Sequence, residues 1–124
     1  MVLHRDFLMR QIQLLVQVLM KVLLKKEEGL PDEARSLLQE GISESLGNDL
    51  DSLLAMDKET FMALCSPSNS FHTGLAVALA DLLREESSPE AAQRAFWLYE
   101  ASLQQRAPLS LPALQWVDDY RRSV

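Results

Sequence analysis

The sequence has little that would interrupt or cross-link a chain: one cysteine, four glycines and five prolines in 124 residues. A single cysteine excludes an internal disulfide and a cysteine-based zinc cluster, and it suits a reducing, cytoplasmic setting better than a secreted one. Basic residues are outnumbered 12 to 18, which gives a formal charge of −6 and a pI near 4.8. Phosphate recognition needs a basic face, so this balance argues against a nucleic-acid partner. There is no glycine-rich loop to cradle phosphates. No stretch alternates apolar and polar residues with β-branched enrichment, so no strands are predicted. What is present is 48% apolar residues, enough to bury a core and to argue against wholesale disorder. The length suits one domain.

Periodicity predicts an all-α chain. The first helix spans about residues 6–28, ended by Gly29 and Pro31. Its polar residues Asp6, Arg10, Gln13, Gln17, Lys21, Lys25 and Glu28 form one narrow stripe at 100° per residue. Apolar residues take roughly two thirds of its circumference, more than one neighbour can cover. A second helix is predicted over 31–46, opened by Pro31 with Asp32 and Glu33 and closed by Gly47. Its inward face is Ala34, Leu37, Leu38, Ile42 and Leu46, with Gly41 admitting a close neighbour. Short helical turns at 49–55 and 58–65 follow, the second capped by Asp57, and then a loop over Ser66–Ser70. A long helix over 71–86 carries Phe71, Leu75, Leu79, Leu82 and Leu83 on one stripe. Ser88-Pro89 opens a helix to about Gln105 with Ala92, Ala95, Phe96, Tyr99 and Leu103 inward. Ser110 caps a last helix to Tyr120, docked through Leu114, Val117 and either Trp116 or Tyr120.

Two segments repeat one pattern. Glu33-Ala34-x-x-x-Leu38 and Ala91-Ala92-x-x-x-Phe96 each place a small and a large residue one turn apart near the start of a second helix. That is the packing logic of an αα-hairpin, and with Leu79-Ala80-x-x-Leu83 upstream it resembles the tetratricopeptide repeat. The chain departs from that pattern at Ala76, Tyr99 and Pro108. Leu46-Gly47-x-Asp49-Leu50-x-x-Leu53-Leu54, after Phe7-x-Met9-Arg10-Gln11-Ile12, is similar to an uncharacterised family of small bacterial helical proteins. The resemblance implies a helical fold and a bacterial cytosol, and no catalytic residues. The implied organisation is one domain: a hairpin over 6–46, a connector over 47–70, and a second hairpin with a C-terminal capping helix over 71–124.

Few residues invite chemistry. Cys65 and His72, with Asp81 as orienter, are the one nucleophile-and-base set. A thiol following Met62, Ala63 and Leu64 reads better as a small buried hydrophobe. Asp49, Asp51 and Asp57 suggest a calcium loop, but the sixth and twelfth positions hold Leu54 and Thr60 where Gly and Glu are needed. His4 is too far from His72 in sequence to suggest paired ligands, and Glu27-Glu28 and Glu85-Glu86 read as solvated charges. No cofactor, metal or enzymatic activity is expected.

Arg5, Arg10, Lys21, Lys25 and Lys26 face only Asp6 within the first 26 residues. The polar residues within 7–24 argue against a lipid-exposed span, and no small-residue cleavage site follows to make a signal peptide. The broad apolar surface is instead expected to complete its core across a two-fold axis with a second copy, through Leu8, Ile12, Leu15, Val16, Leu19 and Leu23. Trp97 and Trp116 are candidate partner anchors, with packing against the last helix as the plainer reading of Trp97. The expected function is a non-enzymatic helical scaffold or adaptor that self-associates as a homodimer and binds a protein or peptide. The alternative is a small-molecule binder with an apolar cavity between the hairpins, beside Gly74, Ala76, Ala78 and Ala80.

Overall fold

The computed structural model describes the backbone of residues 2–124 and the side chains from Asp6 onward. His4 and its candidate ligand role lie outside the described side chains. The described chain is all-helical: α1 (Val2–Glu27), α2 (Pro31–Leu46), α3 (Leu50–Ala55), α4 (Lys58–Ala63), α5 (Thr73–Leu83), α6 (Pro89–Gln104) and α7 (Leu111–Ser123), with one 3₁₀ turn at Pro67–Asn69.

The helix ends follow the local chemistry. Asp49 accepts the N–H of Ser52 at 2.8 Å to cap α3, and Asp57 that of Thr60 at 2.7 Å to cap α4. Ser88 and Ser110 accept from Ala91 and Ala113, both at 3.2 Å, at the heads of α6 and α7. Each satisfies one of the amides that a helix N-terminus leaves unpaired. Gly47 ends α2 in the left-handed region (φ 72°), where a Cβ would be strained. α5 is shorter than the sequence predicts. The imidazole Nδ1 of His72 accepts the N–H of Leu75 at 3.1 Å and so starts the helix at Thr73, while Arg84 already lies at its C-cap.

Packing order differs from chain order. α1 lies between α2 and α5, α5 between α1 and α6, and α7 rests on α6, with α3 and α4 bracing α6 from the connector. The α1–α2 contact is set by Gly41. A Cβ there would sit 2.5 Å from both γ carbons of Val18, so only glycine allows this approach. α5 buries Leu75, Ala76, Ala78, Leu79, Ala80, Leu82 and Leu83. Its alanines Ala76, Ala78 and Ala80 belong to the buried core cluster.

The buried face of α6 is Ala91, Arg94, Ala95, Leu98, Tyr99 and Ser102. Of the predicted inward set, Ala92, Phe96 and Leu103 are only half-buried. The difference comes from Arg94, a charge that periodicity places outside. Its guanidinium donates to the carbonyls of Leu53 (3.1 Å) and Met56 (2.7 Å), at the C-terminal end of α3, and to that of Glu90 at 3.2 Å. These carbonyls lie at a helix C-terminus, where a cation is favoured, and the Leu53 carbonyl also accepts the N–H of Met56 at 3.3 Å; the three hydrogen bonds make burial of the guanidinium tolerable.

Candidate functional site

α1 is a rod of about 39 Å. One side of it, Leu15, Val18 and Val22, is core. Those residues point at α2 and α5, and Lys26 Nζ ties the C-terminal end of the helix to the turn after α5, donating to the carbonyl of Glu85 at 2.6 Å. The opposite side carries Met9 (47% exposed), Val16 (45%), Met20 (66%) and Leu23 (42%). Their spacings of seven, four and three residues place them on one line along the helix, the spacing of a helix–helix seam. Ile12 and Leu19 flank it, half-buried, and Leu24 is exposed on its other border. Gln13 falls in the line between Met9 and Val16. A stripe of this kind on a single chain has no covering element.

Of the residues expected to self-associate, Val16 and Leu23 lie on this stripe, while Leu8, Ile12 and Leu19 form its half-buried border. Leu15 is a correction. It is 0% exposed and belongs to the core of the single chain. Met9 and Met20 also lie on the stripe, outside the expected set. The heptad spacing could have found them, but a helix two thirds apolar gives no sequence signal for which part of its surface meets its own chain.

By length and composition Asp6–Glu27 is also long and apolar enough to cross a bilayer. What opposes a span is packing: Leu15, Val18 and Val22 would have to leave a core they share with α2 and α5.

The two tryptophans are packing residues. Trp97 lies 6.1 Å from Phe61 of α4, centroid to centroid, with the Arg94 guanidinium 5.0 Å and the Lys58 ammonium 5.6 Å from its ring. Its ring thus packs on α4. Trp116 stacks on Tyr120 at 5.4 Å and meets Tyr99 at 5.6 Å, which docks α7 on α6. Both indoles are half-buried among these partners, so neither stands out as a projecting anchor.

The candidate catalytic set is not assembled for catalysis. Cys65 is fully buried, and burial pushes its thiol up to about 12, far from the thiolate that nucleophilic attack requires. His72 uses Nδ1 as a helix cap. Asp81 accepts a short hydrogen bond from the Tyr99 hydroxyl. Desolvation raises the carboxyl of Asp81 above the ordinary carboxylate range, against the lowering effects of Tyr99 and Arg84. The phenol of Tyr99 is raised too, first by burial and then by Asp81. Asp49 and Asp57 are helix caps whose carboxyls are lowered by the amides and side chains they bind. Among the described residues no group of three or more His, Cys, Asp or Glu is placed to hold a metal ion.

Comparison of the chain with models of known protein families, with curated proteins and with solved structures finds no match.

Proposed function

We propose that the protein is a non-enzymatic helical scaffold of a reducing, cytoplasmic setting, made of two tetratricopeptide-like hairpins. It pairs with a second copy through the outer face of α1 and offers its remaining surface to a protein or peptide. The observation that carries this reading is the exposed line of Met9, Val16, Met20 and Leu23 on a helix whose other side is core. The same reading groups the chain with the small bacterial helical proteins its sequence resembles.

The pair is antiparallel in this reading, because the two helix dipoles then oppose each other. An isologous contact of this kind closes on itself and leaves no sticky end.

The test is solution mass by light scattering over a dilution series, for the native chain and for a Val16→Glu, Met20→Glu variant. A dimer that dissociates on dilution, and a variant that is monomeric with unchanged helical circular dichroism, support the pairing. A native chain that is monomeric at high micromolar concentration overturns it. If that monomer instead binds vesicles of anionic lipid, the same face serves a membrane.

A further inference from the structure

The turn between α5 and α6 meets the turn between α1 and α2 at a cleft of about 170 Å³. Its floor is apolar, formed by Val22, Ala34 and Leu38. Its walls carry charge, and Glu86 is the unusual member. That side chain is only 3% exposed. Its Oε1 accepts the N–H of Ser87 at 3.0 Å, whereas Oε2 is buried with no hydrogen-bond partner. A buried carboxylate oxygen lacking a donor is rare and costly.

The two cations on the cleft do not meet this need. Lys26 is committed to Glu85, donating to its carbonyl at 2.6 Å and to its Oε1 at 3.1 Å. Arg35 approaches Glu86 Oε2 through Nε at 3.7 Å, which is an ion pair without a hydrogen bond. The Arg35 side chain is 60% exposed and covers the carboxylate from the solvent side.

We propose that this cleft binds a primary alkylammonium group, which replaces Arg35 over Glu86 and donates to Oε2 while its alkyl stem lies on Val22, Ala34 and Leu38. An ammonium is a compact charge with three donors, so it fits an acceptor that a planar guanidinium meets only at a distance. An anion is disfavoured, since Asp32, Glu85 and Glu86 all border the cleft against Lys26 and Arg35. Water could satisfy Oε2 but would leave the apolar floor unused. The same chemistry is available from a free diamine and from a lysine side chain of a partner protein. The proposal is independent of the α1 pairing, because the cleft lies on the opposite side of that helix from Met20.

The experiment is isothermal titration of the full chain with cadaverine and with Nα-acetyl-lysine methylamide, using 1-pentanol as the uncharged control. Three proteins are compared: the native chain, Glu86→Gln and Arg35→Gln. The Gln at 86 still accepts from Ser87 and removes a buried charge, so thermal melts are to show that fold intact. Amine binding is expected in the native chain. Loss of one charge-assisted hydrogen bond weakens it about tenfold or more in Glu86→Gln, and removal of the competing guanidinium tightens it in Arg35→Gln. Binding of the lysine derivative alone assigns the site to a partner's lysine, and binding of the diamine assigns it to a free amine. The proposal is overturned if neither amine binds Arg35→Gln at millimolar concentration, if Glu86→Gln binds as well as the native chain, or if 1-pentanol binds equally.

Discussion

α1 and α5 are both rich in apolar residues and pack against each other, yet they meet opposite fates. α5 lies between α1 and α6 and buries seven of its eleven residues. α1 is longer, lies between α2 and α5, and leaves Met9, Val16, Met20 and Leu23 in solvent. Side-chain size is part of the reason. Ala76, Ala78 and Ala80 let helices close on α5 from both sides, whereas the outward residues of α1 are large. Hydrophobicity alone therefore does not say whether a helix is core. What matters is how much of the helix its neighbours cover, and two flanking helices cover far more of the 11 residues of α5 than of the 26 of α1.

The contrast can be tested with substitutions of graded effect. Leu79 is fully buried at the centre of α5, and Leu79→Ala is expected to destabilise the chain by about 2–5 kcal/mol in urea unfolding. Met20→Ala on the outer face of α1 should change the unfolding free energy of the dissociated chain by less than about 0.5 kcal/mol. Equal losses would place Met20 in a core and end the distinction. Gly41→Ala comes next. The added methyl meets Val18 and should cost about 1–3 kcal/mol, and a second change, Val18→Ala, should restore part of it in a double-mutant cycle. Ser88→Ala removes the cap of α6 and should cost about 1 kcal/mol while leaving α1 and its seam unaffected, as read by thermal melting and solution mass.

The smallest effect concerns pH. Burial raises the carboxyl of Asp81 on α5 in the folded state, so the folded chain holds that proton more tightly than the unfolded one. The stabilising contribution is present below the ordinary carboxylate value and is lost as pH rises through the raised one. Relative to Asp81→Asn, the native chain should therefore lose melting temperature as the pH rises from below the ordinary carboxylate value through the raised one. A gap that is flat with pH, or that moves the other way, would show that the Tyr99 hydrogen bond outweighs desolvation.

Much of the fold was legible because its signals are local. The caps at Asp57, Ser88 and Ser110, the stop at Gly47 and the close approach at Gly41 need only neighbouring residues to be read. The capping role of His72 is not legible, because an imidazole is an uncommon cap, and it moves the start of α5 by two residues. The candidate site was legible only in part. The first helix is visibly too apolar for one neighbour, but the sequence placed Leu15 and Val16 together on the self-association face, whereas one is core and the other exposed. The Glu86 cleft carries no sequence signal, since Glu85-Glu86 reads as an ordinary solvated pair.

Local signals along the chain establish that it is all-helical, where most helices begin and end, and that its first helix has more apolar surface than one partner helix can cover. These follow from interactions within a few residues, where side-chain spacing and capping groups act directly on the backbone. Tertiary structure alone decided which sector of α1 faces solvent, which glutamate of an adjacent pair is buried, and that a charged Arg94 could enter the core. Each of those depends on which distant backbone arrives beside the residue: α5 against α1, the α1–α2 turn against Glu86, and the carbonyls of Leu53 and Met56 against the guanidinium.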